Sequence, residues 1–226
     1  MRRTVARELM DGPVDDVGEL EGNLRDIAFA NARLGGTAPL LHALRRLDTP
    51  RVELLDVGSG AGDVALALLR DASRRGVELR VTCLDHSEQM LALARKTAGD
   101  QPALSFVRAD GGALPFGDGA FDVVICTLAL HHFEPAGARA LLRELRRVAR
   151  IVPVVCDLRR SALAFAATWL WSRTSRNRLT RHDAPLSVRR AYTPAEALAL
   201  ARDAGWRAPH VRREPFFRMT LTDDRR

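Results

Sequence analysis

Glycine alternates with other residues in one short segment of the chain that lies between two aspartates. Asp56 to Asp63 reads DVGSGAGD, with Gly58, Gly60 and Gly62 at alternating positions, and the apolar run VELL precedes it. Glycines at this spacing predict a tight turn whose backbone can approach a ligand closely. Because the flanking groups are acids rather than bases, the loop suits a ligand that carries positive charge.

The same loop lacks the features of the two common phosphate-binding loops. A dinucleotide site has the pattern G-x-G-x-x-G, but Asp63 occupies the position of the third glycine and would repel a pyrophosphate. A nucleoside-triphosphate loop ends in Gly-Lys-Ser/Thr, which this segment does not contain. S-adenosylmethionine has a sulfonium and an ammonium group and no phosphate, so it fits the acidic loop better.

Three of the six histidines are candidates for a general base, because the pKa of imidazole lies near neutrality. His131 and His132 follow the apolar segment FDVVICTLAL, and His182 lies beside Asp183 in TRHDAPLS. A sulfonium methyl group is already activated, so the site needs an in-line nucleophile and, for a hydroxyl or acidic carbon, removal of a proton. For the paired histidines, packing or shaping of the acceptor site is the alternative role, and catalysis by proximity needs no base.

A metal is not implied by this chemistry. The chain has three cysteines and no CxxC spacing, which argues against both a zinc site and a disulfide framework. The predicted site therefore contains an organic cofactor and its acceptor, with no metal ligand assigned.

The elements that must position these residues alternate between strands and helices. Segments of helical periodicity separate most of five predicted strands, which are VELLDVG, LRVTCLD, LSFVRAD, FDVVICTLAL and IVPVVCDL. Strands that alternate with helices of this length predict a parallel sheet covered on both faces. In such a sheet ligands bind at the carboxyl ends of the strands, where the glycine loop and the paired histidines lie.

The glycine loop and three later segments resemble the motifs of class I S-adenosylmethionine-dependent methyltransferases. LLDVGSGAGDVA is similar to the first motif, and VTCLD, FVRADGGALPF and FDVVICTLALHHF follow in the family's order over about residues 50–155. The resemblance implies a Rossmann-like α/β fold with a seven-stranded, mostly parallel sheet, closed by an antiparallel pair. It also implies S-adenosyl-L-methionine as the cofactor and methyl transfer as the activity. The chain departs from the family at RRVARIVPVV, where many members have a Pro-Gly-Gly turn.

The resemblance assigns cofactor roles residue by residue. Asp85 would accept hydrogen bonds from the ribose hydroxyls, Asp110 would accept one from the adenine amino group, and Thr127 would border the methionine portion. For Asp63 the alternative is a helix-stabilising acid, and for Met90 it is a place in the core. The complete predicted cofactor site consists of Asp56, Gly58, Ser59, Gly60, Asp63, Asp85, His86, Met90, Asp110, Gly111 and Thr127.

The segments outside these motifs are the candidates for acceptor recognition. Residues 1–48 predict an N-terminal helical cap, and residues 49–226 a methyltransferase domain with a helical lid inserted after the fifth strand at about 158–192. The lid begins with the apolar helix SALAFAATWLWS, which could roof a pocket or touch a lipid surface, and continues with an arginine-dense segment. This part resembles small bacterial methyltransferases of secondary metabolism that accompany polyketide synthases, and more distantly quinone-biosynthesis C-methyltransferases.

The predicted function is methyl transfer to a hydroxyl or carbon of a small aromatic, polyketide-like or quinone-like acceptor in secondary metabolism. An RNA methyltransferase is the alternative, because 16 arginines stand against 7 acidic residues from position 150 onward. Against nucleic acid, the chain reads TLALHHF where base-amino methyltransferases have an Asn/Asp-Pro-Pro-aromatic run, and the arginine segment lacks an aromatic platform. An oxidoreductase or a non-enzymatic protein on the same fold is the third possibility.

The location and the assembly of the protein are predicted from simpler features. The first residues lack the apolar core of a secretion signal, and no apolar run is long enough to cross a bilayer. We therefore expect a cytoplasmic protein without a membrane span. The sequence does not decide the oligomeric state, and a homodimer stays open.

Overall fold

The computed structural model describes residues 1–223, in which seven strands form one sheet with helices on both faces. The strand order is β3-β2-β1-β4-β5-β7-β6, and all pairs are parallel except those that β7 makes with β5 and β6. The predicted fold class is thereby confirmed. The strands are β1 (Arg51–Val57), β2 (Glu78–Asp85), β3 (Leu104–Arg108), β4 (Phe121–Thr127), β5 (Ala149–Leu158), β6 (Pro209–Glu214) and β7 (Arg218–Asp223).

Eight helices surround this sheet in the described part of the chain. Side-chain caps precede several of them, since Asp16 accepts a hydrogen bond from the Glu19 N–H at 3.0 Å and Ser87 accepts one from the Met90 N–H at 3.3 Å. The helices are α1 (Val17–Arg33), α2 (Ala38–Arg45), α3 (Asp63–Arg74), α4 (Glu88–Ala98), α5 (Pro135–Val148), α6 (Ala162–Ser172), α7 (Arg178–Arg190) and α8 (Pro194–Asp203).

The apolar run of β4 is continuous because both faces of the strand are buried. Every residue of this strand is buried. Successive side chains point to opposite faces. Val124 and Cys126 therefore belong to the core cluster under α5 and α8, whereas Val123 and Ile125 belong to the cluster under α2 and α3. A central strand without polar alternation is typical of a parallel sheet covered by helices on both faces.

Two junctions differ from the expectations. The fourth strand was predicted to run to Leu130, but it ends at Thr127, because Leu128 has a φ of 53° and the chain then enters a short 3-10 turn at Leu130–His132. Where related proteins have a Pro-Gly-Gly turn, α5 passes directly into β5. Ala149 is already extended there, with φ −80° and ψ 122°.

The N-terminal segment and the insertion after β5 pack against each other at the carboxyl edge of the sheet. The insertion forms α6 and α7, as predicted for a helical lid. Asn23 of α1 donates a hydrogen bond to Thr180 Oγ1 of α7 at 3.0 Å, and both side chains are buried. Within residues 1–223, none of the helices combines the length and apolar character that crossing a membrane requires. The division of the chain at residue 48 stays a prediction.

Candidate active site

The glycine loop joins the end of β1 to the start of α3. Gly58, Gly60 and Gly62 all have positive φ, at 74°, 52° and 76°. A Cβ atom on Gly58 would also lie only 2.8 Å from the Cβ of Ala129, which follows β4. The loop therefore needs glycine at the first position both for its backbone conformation and for its close approach to the neighbouring strand.

Buried polar atoms without a protein partner line the inner side of this loop. Within residues 1–223, both carboxylate oxygens of Asp56, the Ser59 Oγ and the Thr127 Oγ1 have no hydrogen-bond partner. Burial, and then repulsion from the carboxylates of Asp63 and Asp85, raises the pKa of Asp56 to about 8. Since buried polar groups without partners are costly and rare, these atoms indicate a polar, positively charged ligand.

Asp85, the acid at the end of β2, stabilises the glycine loop and can also bind a ligand. Asp85 Oδ2 accepts a hydrogen bond from the Gly60 N–H at 3.0 Å, and its Oδ1 accepts one from the Ser87 N–H at 2.9 Å. Each carboxylate oxygen keeps a further acceptor site, so ribose hydroxyls can still be bound. Asp110 is exposed after β3, where its Oδ1 accepts from the Gly112 N–H at 2.8 Å.

Asp63, His86 and Met90 occupy three different environments. Asp63 is the first residue of α3 and accepts a hydrogen bond from Asn31 Nδ2 at 3.0 Å, and Arg218 Nη2 donates to the Asn31 Oδ1 at 3.1 Å. His86 is exposed, whereas Met90 is buried in a small core cluster. All three predicted residues nevertheless line the cavity described next.

One cavity of about 1310 Å³ contains the whole predicted cofactor site. All eleven predicted cofactor residues line this cavity, together with His131 and His132. Its volume exceeds the ~300–1,000 Å³ typical of a pocket for one small ligand, so it has room for a cofactor and an acceptor. Apolar walls come from α1, α6 and the turn between β6 and β7, and include Ile27, Leu34, Trp171, Phe216 and Phe217.

His182 lies apart from the other two candidate bases. It is exposed on α7 and is not among the residues that line the cavity in the described chain. Its Nδ1 is 2.6 Å from Oδ1 of the neighbouring Asp183, a contact that adjacency alone did not predict. The structure therefore brings His131 and His132 to the cavity and leaves His182 at the surface.

His131 is held in one orientation by Asp157, the next-to-last residue of β5. Its Nδ1 lies 2.7 Å from Asp157 Oδ1, and its backbone N–H donates to Asp157 Oδ2 at 2.9 Å. Burial would raise the pKa of Asp157, but the contact with His131 and the backbone donors lower it below its usual value. The ionised carboxylate therefore accepts a hydrogen bond from Nδ1–H, and Nε2 has no hydrogen bond within the described residues. The sequence did not single out Asp157, although it lies next to the end of a predicted strand at the ligand-binding edge.

The N-terminal segment completes this group of residues with two acids that the sequence analysis did not single out. Asp11 Oδ1 lies 2.7 Å from the Nδ1 of His132. The two carboxylate oxygens of Glu8 lie 3.7 Å from the Nε2 of His131 and 3.9 Å from the Nε2 of His132. Burial raises the pKa of Glu8 to about 7, against the lowering effect of His132 and Arg190. No sequence pattern around Glu8 predicts that it lies beside the histidines, because the residues that it contacts are distant in the chain.

Three features of the structure are together typical of class I S-adenosylmethionine-dependent methyltransferases. They are the sheet with an antiparallel β7, the glycine loop after β1 and the acid at the end of β2. Residues 54–151 match the family described as a methyltransferase domain, so the chain contains a methyltransferase domain. S-adenosyl-L-methionine is the cofactor of this class, and the unpartnered polar atoms around the glycine loop fit its charged end.

Curated relatives agree with the methyltransferase match, and solved structures agree with the fold. The ubiquinone/menaquinone biosynthesis C-methyltransferase UbiE of Methylobacterium nodulans is 34% identical over 125 residues, which cover 54% of this chain and 48% of the relative. The chain thus spans about half the length of that relative. The apo structure of the S-adenosylmethionine-dependent methyltransferase SibL superposes with a TM-score of 0.66 at 22% identity, covering 100% of this chain and 62% of SibL. The CMeT domain of the citrinin polyketide synthase gives a TM-score of 0.63 at 15% identity, covering 81% and 49% of the two chains. At these identities the two structures support the fold alone.

Proposed function

We propose that this protein transfers a methyl group from S-adenosyl-L-methionine to a hydroxyl or carbon of a small aromatic, quinone-like or polyketide-like acceptor. The proposal rests on one observation. The residues with unpartnered polar atoms around the glycine loop line the same cavity as His131 and Glu8. The bound cofactor supplies a methyl group already activated by its sulfonium. The chain's own task is then to orient the acceptor and to exclude water.

The residues of the glycine loop would hold the cofactor. In the proposal Asp85 accepts from the ribose hydroxyls and Asp110 from the adenine amino group. Asp56 and Thr127 meet the positively charged amino-acid end, where their buried oxygens have no partner in the described chain. Ionisation of Asp56 next to a cation would relieve the cost of burying this carboxyl group.

In the proposal, the other lining residues of the cavity suit an apolar ring that carries an oxygen substituent. Ile27, Trp171 and Phe217 supply apolar walls, and the His131, His132 and Glu8 side chains supply the polar end. We propose that these two histidines act on the acceptor oxygen rather than on the cofactor. The name of the UbiE relative supports a quinone-like ring and transfer to carbon. The family match covers residues 54–151 and so includes His131 and His132, whereas the apolar walls from Ile27, Trp171 and Phe217 lie outside it.

The proposal is tested by mass spectrometry of acceptors incubated with the protein and S-adenosylmethionine. The panel contains a demethylated quinone, a phenol, an aromatic polyketide and an RNA transcript. We expect one of the ring compounds to gain a methyl group. Methylation of the RNA alone, or calorimetric binding of NAD without binding of S-adenosylmethionine, would contradict the proposal.

A histidine variant tests the assigned division of labour. His131→Ala should lower turnover by about 10²–10⁴-fold, because the group that acts on the acceptor oxygen is lost. Its affinity for S-adenosylhomocysteine should not change, since His131 does not belong to the predicted cofactor site. The matched control is His42→Ala, an exposed histidine on α2 outside the cavity, which should retain full turnover.

A further inference from the structure

In both cavity histidines, Nδ1 is hydrogen-bonded to a carboxylate and Nε2 is not. Each Nδ1 lies 2.7 Å from a carboxylate oxygen, of Asp157 for His131 and of Asp11 for His132. Each Nε2 faces Glu8 instead. A metal-binding histidine characteristically donates its second ring N–H to a carboxylate, which fixes the tautomer and makes the other nitrogen the ligand. The structure repeats this arrangement on two adjacent imidazoles.

The gap between these atoms has the size of a coordinated ion. The Glu8 oxygens lie 3.7 Å and 3.9 Å from the two Nε2 atoms, which is too long for hydrogen bonds. One ligand atom from each of the three residues lies within 4.8 Å of the others. Two ligands at about 2.1 Å from a tetrahedral ion are separated by about 3.4 Å, so a small contraction would close the site around a metal.

The charge around the three side chains favours a cation. The carboxylates of Glu8, Asp11 and Asp157 contact the two imidazoles, whereas one guanidinium group, that of Arg190, contacts Glu8 and Asp11. The nearby guanidinium of Arg3 donates to backbone carbonyls. The three carboxylates outnumber these two guanidinium groups, and a divalent ion would compensate the excess negative charge in a buried environment.

We propose that Glu8, His131 and His132 bind a divalent first-row transition metal ion, with Zn²⁺ as the type case. Two imidazoles and one carboxylate suit such an ion, whereas Mg²⁺ prefers oxygen ligands. All three residues line the cavity, so an ion that they bind would adjoin the space for the acceptor. A site with three protein ligands and an open position is typical of catalytic rather than structural zinc.

The role of the ion follows from the proposed function and rests on it. A phenol or quinone oxygen that enters an open coordination position would be oriented and polarised by the metal. The two histidines would then act on the acceptor oxygen through the ion. Metal binding itself does not depend on methyl transfer and is measured separately.

The test is a titration of metal-free protein with Zn²⁺ by calorimetry, and with Co²⁺ by visible absorption. We expect one ion per chain, and Mg²⁺ should bind far more weakly. Glu8→Gln and His132→Ala should each abolish the Co²⁺ band, and Asp11→Asn should lower affinity by roughly 10–100-fold through loss of the carboxylate that orients His132. His210→Ala, an exposed histidine on β6, is the matched control and should bind the ion normally.

A second readout separates loss of the site from loss of the fold. Each variant should bind S-adenosylhomocysteine with the affinity of the unmodified protein. Absence of Zn²⁺ and Co²⁺ binding to the unmodified protein, or unchanged binding in Glu8→Gln, would overturn the metal site. Absence of S-adenosylmethionine binding with intact Zn²⁺ binding would instead contradict the proposed function.

Discussion

Asp56 couples binding of a cation to release of a proton. Burial, reinforced by the carboxylates of Asp63 and Asp85, raises its pKa to about 8. The carboxyl group is therefore mostly protonated in the cofactor-free protein at neutral pH. A positively charged ligand favours the ionised form, so binding below pH ~8 should expel a proton from this site.

Calorimetry of S-adenosylmethionine binding at pH ~7, in two buffers of different ionisation enthalpy, measures this release. Asp56→Asn should bind S-adenosylmethionine without releasing this proton. It should also bind the cofactor about 1.5–3 kcal/mol more weakly, because a charge-assisted contact is lost. The difference between the two proteins isolates Asp56 from ionisation of the ligand, and Asp110→Asn is a control that should release the proton normally. Equal release in Asp56→Asn would contradict the role.

The same carboxyl group also affects the stability of the cofactor-free protein. Its pKa is about 8 in the folded protein, against an ordinary value of 3.8 for an aspartate side chain in water, so the folded state holds the extra proton between these limits. The unfolding free energy contributed by this group therefore falls as the pH rises from about 4 to about 8. Asp56→Asn should flatten this part of the stability profile in urea unfolding measured across pH. A profile that stays as steep as in the unmodified protein would mean that Asp56 is not its source.

At the scale of elements, the segment that carries Glu8 is held in place from two sides. Arg3 donates hydrogen bonds to the backbone carbonyls of His131 at 3.1 Å and of Phe133 at 2.7 Å. The buried carboxylate of Asp183, on α7, accepts from the Leu9 N–H at 2.8 Å and from the Met10 N–H at 3.1 Å. The position of Glu8 therefore depends on the lid helix as well as on the turn after β4.

Asp183→Ala should release this segment. It removes the acceptor of two backbone N–H groups and should cost about 1–3 kcal/mol locally. Hydrogen exchange in the peptide around Leu9 should become faster, while S-adenosylhomocysteine affinity stays the same because the glycine loop is not touched. Asp16→Ala, which removes only the cap of α1, is the control. Unchanged exchange around Leu9 would show that other contacts hold the segment.

At the scale of the whole molecule, a buried ion pair ties the helical layer to the antiparallel end of the sheet. Arg146 Nε of α5 lies 2.8 Å from Asp223 Oδ2 of β7, and both side chains are buried. Asp223 Oδ1 also accepts from the Ala208 N–H at 2.7 Å, just before β6. The pair thus connects α5 with the hairpin that closes the sheet.

Arg146→Met should lower the unfolding free energy by about 3–5 kcal/mol, because it leaves the Asp223 carboxylate buried and without its cation. Urea unfolding measures the change. The control is Arg80→Met, which breaks the exposed pair with Glu78 on β2 and should cost only about 0–1 kcal/mol. A similarly small loss of unfolding free energy in both variants would show that the buried pair does not stabilise the protein.

Most of the fold could be predicted because its signals are local. The apolar run of β4 and the glycine loop each depend on a few consecutive residues, and the structure contains both. The end of β4 could not be placed, because apolar residues continue past it to Leu130. The positive φ of Leu128, rather than a change of hydrophobicity, ends the strand.

From the sequence by itself, the resemblance of four motifs to a known family indicated the class of protein and its cofactor. The alternation of strands and helices placed the strand ends that carry these motifs at one edge of the sheet. Only the tertiary structure decided that His131 and His132 face the cavity and that His182 does not. It alone also brought Glu8 to the imidazoles. That contact depends on how the N-terminal segment packs against α7 and the turn after β4, and packing between distant segments leaves no periodic pattern in the sequence.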